Sequence, residues 1–389
     1  MSNPTADAII IGGGVHGASL AYHLALRGLK PLVLERRFLA SEASGYSSGL
    51  VRMHYDLELE SRLAWDSFRY FRNWSEVVGG ECGFTRTGFI QLVQSENSEY
   101  LRHNVAMQQR LGIPALLITS EDVRRVAPSF FVGDFDFAAY EPESGYADPS
   151  STTRALMDAA RQRGARLIQE CPVTGIRINS NGVTGVNTNR ENFDTPIVVD
   201  AAGAWAANVA RMAGVDLPVK TWRHETMFVR RPLDFGPQHP TVIDDINGMY
   251  FRPETGMLTL VGLEDGNTRG ESPEDNTGKA RPGFVERAIE RLTRRIPCLE
   301  NGSLHSTLAG FDGVTPDSHP VLGPAGPEGF FLDCGFSGTG FKIAPAVGSN
   351  LADWILDGKP GKIDITPFSP GRFSTGDWII SQYSYGKEF

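Results

Sequence analysis

A glycine-rich segment close to the N-terminus has the residue types and spacing of a phosphate-binding turn. Residues 12–17 read GGGVHG and fit the pattern GxGxxG at Gly12, Gly14 and Gly17. In this pattern the first glycine makes a tight turn, the second lets the backbone approach a pyrophosphate, and the third lets a helix pack closely against a strand. The N-terminus of that helix offers N–H groups and the positive end of its dipole to phosphates. The segment therefore predicts a dinucleotide site.

An acidic residue completes the pattern. Glu35 follows Gly17 by 18 residues, close to the spacing of about 20 residues in dinucleotide-binding folds. Its carboxylate can accept hydrogen bonds from ribose hydroxyls and would repel a 2′-phosphate, which argues against NADP. We include the adjacent Arg36, and also Val15 and His16 between the glycines, in the predicted cofactor site, although we expect the imidazole of His16 to be incidental to binding.

The segments around this turn have the character that it requires. Residues 8–11 form a short apolar run typical of a buried parallel strand, residues 16–27 have helical character, and residues 29–34 form a second apolar run. Gly28 is placed to end the helix. These segments make one strand–helix–strand unit with the glycines at its first turn. Because the chain has no second such fingerprint, we expect FAD reduced by its own substrate rather than a reductase that binds two nucleotides.

Length and charge limit the kind of protein. At about 150 residues per domain, the 389 residues correspond to two or three domains. The formal net charge of −9 argues against binding nucleic acid or an anionic membrane mainly through charge. The 43 glycines are not periodic, which excludes a collagen-like chain. We expect some of them where the backbone meets a ligand.

The sequence lacks patterns for metal binding, membrane insertion and secretion. The four cysteines form no CxxC pair and the eight histidines form no HxH or HExxH, so no metal site is expected. No apolar run reaches the roughly 18 residues needed to span a bilayer. The N-terminal apolar stretch has no basic region before it. We therefore expect a cytoplasmic protein with free thiols.

Helix and strand patterns alternate in three separated stretches, with strand-rich insertions between them. The predicted fold class is therefore α/β, with a discontinuous Rossmann-like FAD-binding domain and a β-rich antiparallel substrate domain. We assign residues 1–83, 146–219 and 311–366 to the FAD-binding domain, and residues 84–145 and 220–310 to the substrate domain. Residues 367–389 form a C-terminal tail, rich in aromatic residues, that is expected to dock on the fold or on a partner.

Six segments follow one another in an order typical of a known flavoenzyme family. They are residues 9–17 together with Glu35, then residues 44–52, 144–149, 200–205, 315–317 and 335–342. The last segment, GFSGTGFK, is the most specific. In these segments the chain resembles the FAD-dependent amine and amino-acid oxidoreductases, which include sarcosine oxidase, glycine oxidase and D-amino-acid oxidase. The resemblance covers roughly residues 8–358 and is strongest to sarcosine oxidase.

The resemblance implies which residues contact the cofactor. Ser47 and Ser48 are small donors in a loop that can meet the flavin ring or the pyrophosphate, and Val173 opens a strand whose backbone holds the adenine. The N–H groups of loop 338–340 are placed to stabilise negative charge on the reduced flavin. The other cofactor-binding residues that it implies are Gly49, Ala202, Gly203, Trp205, Gly338, Thr339, Gly340, Phe341 and Lys342.

An amino-acid substrate offers a carboxylate, which requires a positive charge and is best held by a bidentate group. The resemblance gives this role to Arg52, and Lys342 in the last glycine loop can hold the same carboxylate. It also places an aromatic residue over the substrate, and this residue is Tyr250 here. Three weaker candidates, each expected to be structural, are His54, His224 and Arg252.

Two departures from the family's pattern affect the expected chemistry. Monomeric sarcosine oxidases attach FAD to a cysteine shortly before the Thr-Pro-Asp segment, where this chain has Ala309–Phe311. FAD is therefore expected to bind non-covalently. The same enzymes use a lysine near the flavin to activate oxygen, and alignment on Gly248, Tyr250 and Gly262 puts Thr259 there, give or take one residue. The electron acceptor is therefore either oxygen or another molecule.

The residues together predict flavin-dependent oxidation of a small amine that bears a carboxylate, such as a sarcosine-like N-methyl amino acid, a cyclic amino acid or another amino acid. Hydride would pass to FAD, and the imine would then hydrolyse. Two alternatives stay open: a 2-hydroxy-acid or glycerol-phosphate oxidoreductase on the same fold, and a non-catalytic flavin-binding assembly factor. The sequence carries no signal for oligomeric state, for the enantiomer or for the particular amine.

Overall fold

Two short apolar segments, Ile9–Ile11 and Leu32–Leu34, are buried along their whole length and pair in parallel. Strands that are apolar at every position suit a parallel sheet with both faces covered. The computed structural model describes residues 3–236 and 238–385. The two segments lie within a six-stranded sheet.

The strands are numbered in chain order. They are β1 (Ile9–Ile11), β2 (Leu32–Leu34), β3 (Leu50–Val51), β4 (Thr85–Arg86), β5 (Phe89–Leu92), β6 (Leu116–Thr119), β7 (Phe137–Glu141), β8 (Gly145–Tyr146), β9 (Arg166–Ile168), β10 (Val173–Asn179), β11 (Gly182–Thr188), β12 (Asn192–Asp194), β13 (Val198–Asp200), β14 (Lys220–Arg230), β15 (Thr241–Asp244), β16 (Met249–Glu254), β17 (Leu258–Leu263), β18 (Ser303–Val314), β19 (Val321–Pro324) and β20 (Phe330–Cys334).

The helices are numbered in the same way. They are α1 (Val15–Leu26), α2 (Ala43–Tyr46), α3 (Glu58–Arg72), α4 (Trp74–Val77), α5 (Ser98–Arg110), α6 (Ser120–Val126), α7 (Pro149–Arg161), α8 (Ala206–Met212), α9 (Phe284–Arg295), α10 (Ala344–Asp357) and α11 (Gly371–Thr375). Short 3₁₀ helices lie at Ser95–Asn97, Gly203–Trp205, Pro273–Asp275, Pro297–Asn301, Phe341–Ile343 and Thr366–Phe368.

The six-stranded sheet gathers strands from the whole length of the chain. Its order is β19-β20-β13-β1-β2-β9, and only the β19–β20 pair is antiparallel. Helix α1 packs against α7 and α10 over this sheet. Helices α1 and α10 approach each other closely at Gly348, where a Cβ would lie 2.4 Å from the hydroxyl of Ser19. The sheet and its helices are the Rossmann-like part of the predicted fold class.

An eight-stranded, mostly antiparallel sheet forms the second part of that fold class. Its order is β18-β14-β17-β16-β15-β5-β7-β6. Alternate residues on one face, among them Met227, Phe251 and Val261, pack with Leu292 of α9 in a separate apolar core. The opposite face carries Tyr250 towards the six-stranded sheet, as the period of two in a strand requires.

The predicted boundary between residues 310 and 311 falls inside a continuous strand. β18 stays paired with β14 from the Ser303–Arg230 pair to the Val314–Lys220 pair. This pairing carries the second sheet directly to the edge of the cofactor-binding part. Two small three-stranded sheets, β10-β11-β12 and β3-β8-β4, complete the fold.

The segment after α10 returns to the body of the protein. Phe368 is fully buried, and the guanidinium of Arg372 donates to both carboxylate oxygens of Asp317, at 2.7 and 2.9 Å. This buried ion pair joins the tail to the Thr-Pro-Asp segment. The last four residues of the predicted tail, 386–389, lie outside the described residues.

All four cysteines have free thiols, and Cys82, Cys171 and Cys334 are buried. Within residues 3–236 and 238–385, no helix has the length and apolar character to cross a bilayer. The same described part of the chain holds no cluster of three or more side chains that could bind a metal ion.

Candidate active site

A cavity of about 1030 Å³ lies between the two large sheets. Nearly all residues predicted to bind the cofactor or the substrate line it. They are Gly12, Gly14, Val15, His16, Glu35, Arg36, Ser47, Ser48, Arg52, Val173, Ala202, Gly203, Trp205, Tyr250, Gly338, Thr339, Gly340, Phe341 and Lys342. These residues are far apart in the sequence, so the fold gathers them at one place.

Two of the predicted cofactor residues, Gly17 and Gly49, do not line this cavity. A Cβ at Gly17 would lie 2.1 Å from the carbonyl oxygen of Gly12, so Gly17 allows helix α1 to approach the strand. Gly49 has a φ of +68°, and a Cβ there would lie 2.2 Å from the carbonyl oxygen of Ala147. Both glycines are required by backbone packing, and a contact between Gly49 and the cofactor stays a prediction.

The carboxylate of Glu35 holds the glycine turn in place. Its Oε2 accepts a hydrogen bond from Gly13 N at 2.7 Å, and its Oε1 accepts one from Arg37 N at 2.6 Å. Gly12 has a φ of +119°, and a Cβ there would lie 2.4 Å from the carbonyl oxygen of Ala201. Each carboxylate oxygen has a second lone pair for a ligand hydroxyl. Glu35 therefore shapes the turn and still lines the cavity.

Ser44, which sequence reasoning left out of the site, joins the serine loop to helix α1. Its Oγ accepts a hydrogen bond from Val15 N at 2.9 Å. One of the free N–H groups in the first turn of α1 is thereby satisfied. Since Ser47 and Ser48 follow in the same loop, this bond brings them to the cavity wall. A serine three residues before a predicted contact was the only available signal.

His16 connects the N-terminal fingerprint to the C-terminal glycine loop. Its Nε2 lies 3.1 Å from the carbonyl oxygen of Gly340, and its ring stacks on Phe336 with a centroid distance of 3.5 Å. Its Nδ1 lies 3.4 Å from the buried carboxylate of Asp333. The N-terminal fingerprint and the C-terminal glycine loop are therefore joined through one imidazole, which the sequence pattern alone did not indicate.

Arg36, which lines the cavity, forms an ion pair with Glu274. Glu274 accepts two hydrogen bonds from the guanidinium of Arg36, at 2.6 and 2.7 Å, and a third from Trp205 Nε1 at 2.7 Å. The guanidinium also lies 4.5 Å from the centroid of the Trp205 ring. The hydrogen bonds from Arg36 lower the pKa of Glu274 to about 2. Glu274 was absent from the predicted site, yet it ties together two residues that were in it.

The C-terminal glycine loop uses two of its N–H groups within the protein. Gly338 N donates to the carboxylate of Asp312 at 2.6 Å, and Thr339 N donates to the carbonyl of Phe336 at 2.9 Å. These two N–H groups are thus engaged within the protein, and their contact with the cofactor stays a prediction. A 3₁₀ helix, Phe341–Ile343, begins directly after Gly340 and continues into α10. Its first turn has N–H groups without intrahelical partners, and these remain the better candidates.

Two cations meet over one aromatic ring. The guanidinium of Arg52 lies 4.4 Å, and the ammonium of Lys342 lies 5.4 Å, from the ring centroid of Tyr55. Both side chains are less than a tenth exposed. The hydroxyl of Tyr55 donates to the carbonyl of Thr339 at 3.2 Å, and burial raises its pKa. Tyr55 was not predicted, although it follows Arg52 by three residues.

Tyr250 forms part of the cavity wall contributed by the eight-stranded sheet. It pairs with Ile243 on β15 and with Gly262 on β17. Burial, followed by the nearby carboxylate of Glu264, raises the pKa of its hydroxyl. The hydroxyl is therefore a neutral hydrogen-bonding group in this setting. Tyr250 lines the cavity, and its predicted place over the substrate stays a prediction.

Of the three weaker candidates, only His224 lines the cavity. Burial lowers its pKa, so its imidazole is neutral near pH 7. Arg252 donates to the carbonyl of Ser48 and to Glu254, and its guanidinium lies 4.3 Å from the Tyr146 ring centroid. This set of contacts is structural, as expected. His54 is buried in another hydrogen-bond network.

Thr259 lies on the face of β17 that points away from the cavity. Its Oγ1 is 2.9 Å from Nε2 of the buried His239. Successive residues of a strand point to opposite faces, so an alignment error of one residue exchanges the two faces. The expectation that Thr259 occupies the place of an oxygen-activating lysine is therefore wrong.

The residues present fit FAD. The cavity combines a carboxylate suited to ribose hydroxyls, a helix N-terminus suited to a pyrophosphate, and a backbone turn at Gly12 that would not admit a side chain. Its volume of about 1030 Å³ is at the upper end of small-molecule sites. Residues from the fingerprint, the serine loop and the C-terminal glycine loop would hold the cofactor.

Known proteins share both the sequence and the fold. The chain is 32% identical over 409 aligned positions to the mitochondrial sarcosine dehydrogenase of Homo sapiens. The alignment covers 99% of this chain but 44% of that protein. It is 27% identical to sarcosine oxidase subunit beta of Arthrobacter sp., with 96% and 92% of the two chains covered. The chain thus spans less than half the length of the first of these relatives.

A solved structure shows the same fold. The L-proline dehydrogenase of P. horikoshii matches with a TM-score of 0.89 and 29% identity, covering 96% of this chain and 99% of that one. The family model described as FAD dependent oxidoreductase matches residues 7–354, which is most of the chain. The chain therefore belongs to this family of FAD-dependent oxidoreductases.

Proposed function

We propose that this protein binds FAD non-covalently and oxidises a small amine that carries a carboxylate. The single observation that carries the proposal is the pair of cations, Arg52 and Lys342, beside Tyr55 in the cavity that starts at the glycine fingerprint. The chain as a whole has a net charge of −9, whereas these two buried cations lie together in the cavity. A carboxylate held there would attract both cations.

The protein's own groups would orient the substrate. Arg52 and Lys342 would hold the carboxylate, and Tyr250 would form the wall opposite the cofactor. When bound, FAD supplies the acceptor for the hydride that leaves the carbon beside the nitrogen. The nitrogen lone pair forms the C=N bond, and water then adds to the imine to give a carbonyl compound and a free amine. Holding the substrate in one orientation is the main contribution of the site.

The relatives support the substrate class. The names sarcosine dehydrogenase, sarcosine oxidase and L-proline dehydrogenase all refer to secondary amines with a carboxylate. A sarcosine-like N-methyl amino acid or a cyclic amino acid is therefore the leading candidate. The electron acceptor is proposed to be oxygen or another oxidant, because no residue of the site distinguishes the two.

Non-covalent binding is supported by the cavity wall. Ala309, Gly310 and Phe311 all line the cavity where the resembling oxidases have their cysteine, and no cysteine is present among the described lining residues. Small and apolar side chains at this place offer no nucleophile to the flavin.

We propose that the six-stranded sheet holds the cofactor while the eight-stranded sheet covers the substrate. The free thiols support a reducing compartment such as the cytoplasm.

The test is an anaerobic panel with the full chain saturated with FAD. Sarcosine, L-proline and glycine are expected to bleach the flavin absorbance, whereas methylamine, which lacks a carboxylate, is not. Lactate and glycerol 3-phosphate test the rival substrate classes. Readmission of oxygen then separates an oxidase from an enzyme that uses another acceptor. Bleaching by lactate alone, or by no compound in the panel, would contradict the proposal.

The mode of flavin binding has its own measurement. Acid precipitation of the protein is expected to leave the yellow chromophore in the supernatant. Flavin that stays with the precipitate would show a covalent bond and overturn this part of the proposal.

A further inference from the structure

We infer that Tyr385, near the C-terminus, is a positioning residue for Arg52. It acts through a series of hydrogen bonds that ends on the peptide group directly after Arg52. This inference rests on the proposed function, because it assumes that Arg52 binds the substrate carboxylate. It gives a role in the site to a segment that the family model, which ends at residue 354, does not include.

The segment of residues 379–385, here called the C-terminal strap, is held on helix α5. The amide of Asn104 donates to the carbonyl of Tyr383 at 3.0 Å, and the ring of Tyr383 stacks on His103 with a centroid distance of 4.3 Å. At the start of the strap, Ile379 N donates to Asp317 at 3.3 Å. These contacts bring the hydroxyl of Tyr385 into the protein interior.

The hydrogen bonds from Tyr385 have one consistent direction. The amide nitrogen of Asn104 donates to the Tyr385 hydroxyl at 2.7 Å, and that hydroxyl lies 2.8 Å from His54 Nε2. His54 Nδ1 lies 3.1 Å from Gln108 Oε1, while Gln108 Nε2 donates to the carbonyl of Met53 at 3.4 Å. The last bond fixes the orientation of the Gln108 amide. His54 therefore donates through Nδ1 and accepts the Tyr385 proton at Nε2.

His54 stays neutral in this arrangement. Burial, and secondarily the charge of Arg52, lower its pKa to about 3. A neutral imidazole has one donor and one acceptor nitrogen, so Nε2 needs a donor such as the Tyr385 hydroxyl. His54 is about 1% exposed, and water cannot easily replace that donor.

The peptide after Arg52 is held from both sides. The N–H of Met53 donates to Glu141 Oε2 at 2.9 Å, and the carbonyl of Met53 accepts from Gln108. Glu141 is itself fixed by the hydroxyl of Ser144 at 2.6 Å. The Met53 peptide is thus held by Glu141 on one side and by Gln108 on the other. The position of the Arg52 guanidinium therefore depends on both contacts, and Tyr385 supports Gln108 through His54.

The decisive variant is Tyr385→Phe, which keeps the ring on His54 and removes only the hydroxyl. Loss of one buried hydrogen bond corresponds to about a three- to tenfold effect, so we expect KM for the amino-acid substrate to rise by that factor while kcat changes less. The matched control is Tyr383→Phe in the same strap, whose ring stacking is retained. It should leave KM unchanged.

Two further readouts separate positioning from a general loss of structure. The first is the dissociation constant of propionate, an unreactive carboxylate, followed by the perturbation of the flavin spectrum. The second is kcat/KM for an amine without a carboxylate, measured at high concentration. The inference requires Tyr385→Phe to weaken propionate binding about three- to tenfold and to leave the carboxylate-free reaction unchanged.

The inference is overturned if Tyr385→Phe leaves propionate binding unchanged, or if reactions with and without a carboxylate fall equally. A thermal midpoint for each variant shows whether the fold is kept. Failure of the proposed function has a different signature: the wild-type protein would oxidise no amine. Arg52-dependent propionate binding would in that case still decide whether Tyr385 acts on Arg52.

Discussion

Gly262 lies directly opposite Tyr250 on the neighbouring strand, and the tyrosine ring fills the space that a side chain at Gly262 would take. A Cβ at Gly262 would be 2.2 Å from Cζ of the ring. The backbone of β17 thus forms the surface on which the ring rests. The position of Tyr250 in the cavity depends on the absence of a side chain on the adjacent strand.

Gly262→Ala is expected to move the Tyr250 ring into the cavity and to lower kcat/KM about fivefold, since displacing the ring from its rotamer costs about 1 kcal/mol. Steady-state kinetics with the best amine of the panel measures this. Gly371→Ala is the control, because a Cβ at Gly371 meets no atom within 4 Å. Equal activity of both variants would contradict a role for the ring.

Arg52→Ala is expected to raise KM for a carboxylate-bearing amine by roughly 30-fold or more, because a buried charge pair loses one partner at a cost of about 2 kcal/mol or more. Arg52→Lys should recover only part of the loss, since lysine cannot bind the carboxylate in a bidentate manner. Arg86→Ala serves as control because Arg86 forms an exposed ion pair with Glu143. An unchanged KM in Arg52→Ala would remove the arginine from the site.

Glu274→Gln is expected to speed flavin release about two- to fivefold, because the ion pair with Arg36 is half exposed and such pairs contribute about 1 kcal/mol or less. The return of flavin fluorescence after dilution measures the rate. The control, Glu271→Gln, removes a carboxylate that pairs with Arg281 on the same insertion. Equal release rates from Glu274→Gln and the wild type would show that the pair does not retain the cofactor.

Among the buried histidines with a lowered pKa, His23, His54 and His239 are expected to make stability depend on pH. Burial lowers the pKa of His23 to about 4, and of His54 and His239 to about 3. The unfolded chain takes up these protons near its ordinary pKa of about 6.5, whereas the native state does not. The free energy of unfolding should therefore fall as pH drops below 6.5, by about 1.4 kcal/mol per pH unit for each group.

Urea unfolding at pH 7 and pH 5 measures this dependence. His239→Gln removes one such group and should flatten the pH dependence of stability by one contribution of that size. The exposed His305 gives the control variant His305→Gln, which should keep the wild-type dependence. Identical slopes for the wild type and His239→Gln would contradict the assignment.

The local parts of the site were predictable from sequence. The glycine turn, its helix and Glu35 are neighbours in the chain or one strand apart, so spacing alone indicates their arrangement. The fold class followed from the same unit and from the alternation of strand-rich and helical stretches. The gathering of Arg52 and Lys342 came from family resemblance, because no local pattern connects positions so far apart.

The missed residues act across long sequence separations. Glu274 meets Arg36 across 238 residues, and Tyr385 meets His54 across 331. Such pairs depend on how distant segments of the chain pack together, which periodicity does not encode. Thr259 failed for another reason, since a shift of one residue along a strand exchanges its two faces.

The strand order of the six-stranded sheet also determines when the cofactor cavity can form during translation. β20 inserts between β19 and β13 in the sheet that also holds β1 and β2, and residues 333–342 supply the last wall of the cavity. A nascent chain of about 300 residues therefore contains the glycine fingerprint but lacks residues 333–342, which enclose the cavity. Flavin capture should therefore wait until residues 333–342 have been made, and a translation product truncated at residue 300 should bind no flavin.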